Sequence, residues 1–172
     1  MIIIDKYKPV FFNDYKLHNN IINKLKNLTD DIPNLIIYGP PDTGKYTMAK
    51  SLINEIYNKN LQVNKKTIRL LVNNAYKEIS INSSNYHFEI NLNKYNILVN
   101  KKYFKTLIDI LISNTEINNE CRYKLIIIKK AEFVHTSFTY IKNIIEKNYN
   151  KIRFIFIVNS LVLIPPFYKG FF

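Results

Sequence analysis

The stretch that most constrains the fold is LIIYGPPDTGKYT, residues 35–47, in which four apolar or aromatic residues lead into a glycine-containing turn. Apolar residues then recur at three- and four-residue spacing over residues 48–56, which is typical of a helix. A strand, a turn and a helix in this order predict a phosphate-binding loop, in which Gly39 and Gly44 permit the required backbone angles and Lys45 adds positive charge. The alternative is an ordinary glycine turn, which the lysine in register disfavours.

The loop departs from the usual pattern directly after its lysine. Residues 39–45 match GxxxxGK, but the next residue, usually a Ser or Thr that positions Mg²⁺, is Tyr46. A tyrosine hydroxyl lies too far from its own backbone to take that role, so nucleotide binding survives this change better than metal positioning, and Mg²⁺ is left in question. The candidate contacts to a nucleotide are Gly39, Pro40, Pro41, Asp42, Thr43, Gly44, Lys45, Tyr46 and Thr47.

Length and composition bound the class of protein. With 172 residues and 47% hydrophobic content, the chain can bury one core and is expected to form one domain. The net charge of +12 indicates a polyanionic partner such as nucleic acid, although an AT-rich coding sequence would also enrich lysine, and both interpretations stay open. The single Cys121 fits a reducing compartment. Since no apolar run reaches the ~20 residues of a membrane span, we expect a soluble intracellular protein.

Periodicity predicts alternating strands and helices behind the phosphate loop. Residues 5–9 are expected to be extended, because Pro9 biases Lys8 away from helix. This order indicates an α/β fold with a mostly parallel sheet and helices on both faces. Helices are predicted over about 18–28, from the loop to 58, and over 101–112 and 136–148; strands are predicted over 35–38, 67–72, 76–82, 86–92, 123–128 and 152–158.

With this order in place, the chain resembles the small subunits of replication factor C, the eukaryotic clamp loader of the AAA+ class of P-loop NTPases. DKYKP at 5–9 is similar to the family's leader, which packs near the adenine and so implicates Tyr7 and Pro9. NLIIYGPPDTGK is similar to its phosphate loop. The segment KEISINSSNYHFEINL, 77–92, is similar to the strand pair of one non-catalytic small subunit, and IEK at 145–147 and VNS at 158–160 keep the family's spacing.

The resemblance implies a three-layer AAA+ core domain over residues 1–172 with ATP as its cofactor. An ATPase of this class needs a carboxylate pair after the 123–128 strand, for Mg²⁺ and for the attacking water. Lys129 and Lys130 stand there instead, where they could neutralise phosphates or simply mark a solvated strand end. Glu132 lies off register and is not expected to take over. We therefore expect no catalytic residue, no metal ligand and a lost ATPase activity.

Two further positions follow from the resemblance. Asn159 matches the family's sensor, a polar side chain at a strand end near the γ-phosphate; the alternative is a turn-forming asparagine. The family also carries an arginine that acts on a neighbouring subunit's nucleotide. Here Pro165 and Pro166 are followed by Phe-Tyr-Lys-Gly, so that arginine finger is expected to be absent.

The implied partners are other clamp-loader subunits, the sliding clamp and primer–template DNA, in the nucleus and without a membrane. Lys101, Lys102 and Lys105 open a helix that in the family faces the clamp, although a solvated helix face explains them equally well. The sequence stops at Phe172, before the family's final strand, helical lid and collar domain, which we expect to be missing. Residues 35–38 would then lie at an open sheet edge that favours self-association, partly covered by the last two phenylalanines.

Three functional hypotheses remain at this stage. The first is a replication factor C-like subunit that binds ATP, with little dependence on Mg²⁺, and supports clamp loading without hydrolysing ATP. The second is a small P-loop phosphotransferase, which would need an acceptor site and a metal-binding carboxylate that the sequence does not offer. The third is a decayed structural homologue without nucleotide binding.

Overall fold

The computed structural model describes residues 7–114, 122–162 and 164. Over these residues the chain forms six strands and four α-helices. In chain order they are α1 (Asn19–Lys26), β1 (Leu35–Tyr38), α2 (Lys45–Tyr57), β2 (Asn64–Val72), β3 (Ala75–Ser83), β4 (His87–Asn91), α3 (Lys101–Ser113), β5 (Lys124–Lys129), α4 (Phe138–Asn148) and β6 (Ile152–Val158). Short 3₁₀ segments lie at Phe12–Asp14, Asn96–Val99 and Ala131–Ser137.

The strands form one mostly parallel sheet in the order β1-β6-β5-β4-β3-β2. The pairs β1 with β6, β6 with β5 and β5 with β4 are parallel, and the remaining two pairs are antiparallel. The register places Asn91 beside Lys129 and Lys129 beside Ile157. The carboxyl ends of β4, β5 and β6 therefore meet at one edge of the sheet, beside the turn that follows β1.

Two apolar cores cover the two faces of the sheet, as the three-layer prediction requires. β6 shows why, because its residues alternate between them: Phe154 and Phe156 belong to the core with α3 and α4, whereas Ile155 and Ile157 belong to the core with α1 and α2. A strand buried on both faces is typical of a central parallel strand. The predicted α/β class is confirmed, while a single domain over all 172 residues stays a prediction.

The β2–β3 hairpin is longer than the periodicity predicted. β2 begins at Asn64, before the predicted start at residue 67. Periodicity could not show this start, because the first residues of the strand are exposed and polar and carry no apolar alternation. Asn73 and Asn74 both have positive φ, 51° and 60°, which suits the tight turn of a two-residue hairpin. Only Asn82 and Ser83 of β3 pair with β4. The rest of the hairpin packs its inward face, including Ile68, against the core with α3.

The other boundaries differ from the predictions by a few residues. The 3₁₀ segment Ala131–Ser137 occupies the predicted start of α4, and β5 includes Lys129 because this residue pairs in register with Asn91. β1 is the terminal strand of the described sheet, as expected, with Tyr38 63% exposed. Self-association through this edge stays a prediction. The last two phenylalanines, which were expected to cover part of the edge, lie outside the described residues. No described helix has both the length and the apolar content needed to cross a bilayer.

Candidate nucleotide-binding site

The turn after β1 has the backbone geometry of a phosphate loop. Gly44 caps α2 in the left-handed region with φ 79°, and a Cβ there would meet nothing within 4 Å. The glycine is therefore needed for its backbone angles and not for space. Asp42 also has positive φ, 60°, which aspartate tolerates better than most residues. Thr43 braces the turn by donating its hydroxyl to the Pro40 carbonyl at 2.9 Å. The loop ends at the N-terminus of α2, which favours anions.

Lys45 lies over this loop and is only 9% exposed. Its ammonium donates to the Gly39 carbonyl at 2.8 Å and to the Pro40 carbonyl. Burial lowers the pKa of Lys45, the neighbouring Lys130 charge lowers it further, and the charges of Asp42 and Glu132 oppose these effects. A buried ammonium held by carbonyls is poised to exchange them for phosphate oxygens, which carry more negative charge.

Two clefts meet at the loop and bring together most of the predicted contacts. One cleft, of about 600 Å³, places residues 41–47 opposite Lys129, Lys130 and Asn159. The other, of about 1050 Å³, joins Tyr7 and Pro9 to the start of α2. Of the remaining candidates, Gly39 and Pro40 supply the carbonyls that hold Lys45. The described geometry thus gathers all of these candidate residues around one loop; that they bind nucleotide stays a prediction.

The residue that sequence reasoning missed is Glu89 of β4, whose side chain is 1% exposed. Tyr46 donates its hydroxyl to both carboxylate oxygens, at 2.8 and 2.7 Å, and Asn82 donates at 3.0 Å. Burial acts to raise the pKa of Glu89, but the hydrogen bond from His87, the charge of Lys129 and the other donors outweigh it and hold this pKa far below its usual range. Glu89 is therefore an ionised carboxylate inside the protein.

The Tyr46 hydroxyl is consequently directed into the protein. Burial raises the pKa of the Tyr46 phenol, and the charge of Glu89 raises it further, so the hydroxyl remains a neutral donor. The hydroxyl that replaces the usual Ser or Thr points to a carboxylate of β4 and is already hydrogen-bonded there. This is the physical reason for the departure noted in the sequence: the tyrosine joins α2 to the sheet.

Lys129 completes the same cluster. Its ammonium lies 3.3 Å from Glu89 Oε2 and 3.1 Å from the centroid of the Tyr46 ring. The interpretation of this lysine as a solvated strand end is wrong, since its side chain is only 19% exposed. Burial lowers the pKa of Lys129, whereas the Glu89 charge raises it. The lysine is thus a cation paired with a buried anion, placed at the edge of the phosphate cleft.

His87 extends the network away from the cleft. Its Nε2 lies 3.2 Å from Glu89 Oε1 and its Nδ1 lies 2.6 Å from Ser84 Oγ. The same Ser84 oxygen accepts the backbone N–H groups of Tyr86 and His87, both at 3.1 Å. A serine that closes a turn in this way, beside a ring that is 1% exposed, serves structure and not nucleophilic chemistry. His87 is thus a histidine of the protein core.

The oxygen atoms around the cleft do not form a Mg²⁺ site of the kind that is built on a carboxylate pair. Mg²⁺ sites use one or two carboxylates together with phosphates and waters. Glu89 is hydrogen-bonded on both oxygens, and Lys129 and Lys130 stand where the pair would be. Glu132 is 8% exposed and its Oε2 has no hydrogen-bond partner, so one carboxylate oxygen remains unsatisfied. Among the described residues, no group of three His, Cys, Asp or Glu side chains could hold a metal.

Sequence comparison gives relatives over nearly the whole chain. Probable replication factor C subunit 5 of Dictyostelium discoideum is 25% identical over 166 residues, which is 95% of this chain and 41% of the relative. Replication factor C subunit 5 of Schizosaccharomyces pombe is 26% identical over 93% of this chain and 46% of its own length. The chain resembles replication factor C small subunits. Higher identity, 38%, is found over a 74-residue stretch of the Dictyostelium probable replication factor C subunit 3, which is 40% of this chain and 21% of that relative.

The likeness to replication factor C subunits has a structural counterpart. RuvB of Thermotoga maritima, in its T158V form, superposes with a TM-score of 0.61 at 12% identity, over 96% of this chain and 46% of RuvB. The chain therefore has the same fold as RuvB, an α/β fold with a mostly parallel sheet. The chain spans less than half the length of these curated relatives. No protein-family profile matches it.

Proposed function

We propose that this chain is a replication factor C-like subunit that binds ATP and supports loading of the sliding clamp onto DNA, without hydrolysing ATP itself. The observation that carries the proposal is the asymmetry of the 600 Å³ cleft. One side keeps the glycines, the buried lysine and the helix N-terminus of a phosphate site. The opposite side carries two lysines where the family has its catalytic carboxylates.

ATP binding is supported by the arrangement around α2. Phosphates at the loop would meet the Lys45 ammonium and the backbone N–H groups at the start of the helix. The 1050 Å³ cleft beside Tyr7 and Pro9 offers room for the base, and Asn159 lies at the phosphate end. The nucleotide would thus lie across Gly44, which lines both clefts.

Loss of hydrolysis is supported by the chemistry at the end of β5. A general base must accept a proton from water, and an ammonium cannot do so at neutral pH. Lys130 follows Lys129 in a turn with φ 59°, so both cations lie at the cleft. Glu132 is close enough to Lys45 to influence its pKa, but Glu132 does not line this cleft among the described residues.

The partners are proposed from the relatives and from the charge. Clamp-loader subunits, the sliding clamp and primer–template DNA, in the nucleus, are the partners that a replication factor C subunit implies. The net charge of +12 suits a nucleic-acid partner. Lys101, Lys102 and Lys105 are exposed on α3, and Lys65 and Lys66 are exposed on β2. These surfaces are available to a polyanion or to an acidic protein face.

The test combines an ATP titration with a steady-state ATPase assay in the presence of primed DNA. We expect ATP to bind and turnover to remain at background. Turnover that disappears in Lys45→Ala would show that the chain is itself an ATPase. Absence of ATP binding, with the protein folded, would instead favour a structural homologue without nucleotide.

A further inference from the structure

The charges that line the phosphate cleft indicate whether ATP would bind there with or without Mg²⁺. We propose that the site takes a nucleoside polyphosphate in its metal-free form, and that Mg²⁺ weakens binding instead of supporting it. This inference rests on the proposed ATP binding and specifies the charge state of the ligand. It is stronger than the sequence-based expectation that affinity depends little on Mg²⁺.

Any cation that the phosphates brought into the cleft would lie among the residues that line it. The end of β5 carries Lys129 and Lys130, and Lys45 lies on the side of the loop. A divalent cation among these ammonium groups is repelled, whereas the phosphates alone are attracted to them.

The oxygen atoms that could offset this repulsion already have hydrogen-bond partners. The hydroxyl of Tyr46 donates to Glu89 of β4 and is therefore directed away from the cleft. The Glu89 carboxylate is already bound by Tyr46, Asn82 and Lys129. Removing it from these donors to bind a metal would leave the Lys129 ammonium unpaired in a buried position, which is costly.

Two further carboxylates, those of Asp42 and Glu132, act on Lys45. Asp42 lines the cleft from the loop, and its charge and that of Glu132 raise the pKa of Lys45. The negative charges of Asp42 and Glu132 are thus already partly offset by the Lys45 ammonium. Glu132 Oε2 is the one described carboxylate oxygen that is buried and without a hydrogen-bond partner, so Glu132 is the group to remove when testing for a hidden metal ligand.

Complexing ATP with Mg²⁺ removes two negative charges from the phosphates that would face Lys45, Lys129 and Lys130. Each lost charge weakens the attraction between the phosphates and these partly exposed ammonium groups, so affinity should fall about tenfold. A conventional site of this fold, with a carboxylate pair at the strand end, should show the opposite sign.

The experiment is a calorimetric titration of the full chain with ATP, in EDTA and in excess Mg²⁺ at matched ionic strength. We expect ATP to bind about tenfold more tightly in EDTA. Lys130→Gln should weaken binding in EDTA and reduce the loss of affinity caused by Mg²⁺, while Lys147→Gln, which neutralises an exposed lysine in the last turn of α4, should change neither. Lys129→Gln is a second test, with its fold checked by thermal unfolding because Lys129 pairs with Glu89.

The outcomes separate the two proposals. Binding in both conditions, equal or tighter with Mg²⁺, overturns the metal-free preference and leaves ATP binding standing. If Glu132→Gln then abolishes the gain from Mg²⁺, Glu132 is a metal ligand. Failure to bind ATP in either condition overturns the proposed ATP binding itself, and the preference with it.

Discussion

The phosphate loop and the strand ends that face it form the two sides of one cleft, yet they differ in how well they fit the pattern that the resemblance to replication factor C implies. The loop, residues 39–45, has its glycines and lysine in the positions that phosphate binding needs. The facing side, formed by the ends of β4, β5 and β6, carries Lys129 and Lys130 where the resemblance implies carboxylates. Binding and hydrolysis depend on opposite sides of such a cleft, so one can be kept while the other is lost.

The two sides also differ in what holds them. The loop is stabilised by its own carbonyls, which accept from Lys45 and Thr43. The facing side is held by the buried Glu89 and its donors from three different elements. A substitution on the loop should therefore change ligand affinity, whereas a substitution in the Glu89 cluster should mainly change stability. The following predictions test this division.

The largest effect is expected from Glu89→Ala. It leaves Lys129 as an uncompensated cation and removes the acceptor of Tyr46 and Asn82, so the free energy of unfolding should fall by about 3 to 5 kcal/mol. Denaturant unfolding measures it. The matched control is Glu78→Ala on β3, whose ion pair with Arg69 is exposed, and which should cost less than about 1 kcal/mol. Equal effects of the two variants would mean that the Glu89 cluster does not support the fold.

Lys45→Ala should weaken ATP binding. The variant removes the buried ammonium of the loop, so ATP affinity should weaken by about 1 to 3 kcal/mol, the range for losing a charged hydrogen-bond partner. Calorimetric titration gives this value, and unfolding measurements should show a stable protein. Lys147→Ala, at the exposed end of α4, should leave affinity unchanged. A Lys45→Ala protein that binds ATP as tightly as the parent would contradict the loop's role.

Tyr46→Phe distinguishes an effect on stability from an effect on ATP affinity at a single residue. Its backbone lies in the first turn of α2, directly after the loop, while its hydroxyl donates to Glu89. Removing the hydroxyl should cost about 1 to 2 kcal/mol of stability, because a buried carboxylate loses a donor, and should leave ATP affinity nearly unchanged. Tyr38→Phe, at an exposed position of β1, is the control and should affect neither quantity. A large loss of affinity with no loss of stability would reverse the assignment.

The smallest effect, taken for each pH unit, is a pH dependence of stability. The pKa of Glu89 is depressed in the folded protein, so its contribution is present above the unfolded value near 4.5 and is lost as pH falls toward the folded pKa. Below about pH 4, stability should fall by up to about 1.4 kcal/mol per pH unit from this group. Unfolding curves of Glu89→Gln should lack this component. The same slope in both proteins would show that other carboxylates are responsible.

Local residue patterns were enough to predict the elements that position the site. The order strand, glycine turn and helix at 35–57 needs only sequence-local rules, as do the apolar β5 and β6, whose predicted ranges lie within a residue of those observed. The start of β2 could not be predicted in this way, because Asn64–Lys66 are exposed and polar. Their strand conformation comes from pairing with β3, where Asn64 lies opposite Ser83.

The Glu89 cluster required the tertiary structure, although a glutamate between Phe88 and Ile90 in a predicted strand was a usable signal. Its partners come from α2, β3, β4 and β5. The register of β4 with both neighbouring strands sets their distances, because Glu89 lies opposite Asn82 of β3 and beside Ile127 of β5. Arg153 is a comparable case. Local sequence patterns assign it no role, yet its side chain is only 4% exposed, donates to the Ile32 carbonyl at 2.8 Å and lies over the Tyr149 ring at 3.7 Å from the centroid.

The sequence by itself determined the phosphate loop, because backbone angles and charge there depend on residues that are neighbours in the chain. It also determined that two lysines follow the apolar run of β5. Whether those lysines are solvated, and where the hydroxyl of Tyr46 points, was decided by the tertiary structure alone. A buried charge is stable only beside its partners, and these partners lie some 40 residues apart along the chain, at separations of 43 for Tyr46 and 40 for Lys129 from Glu89.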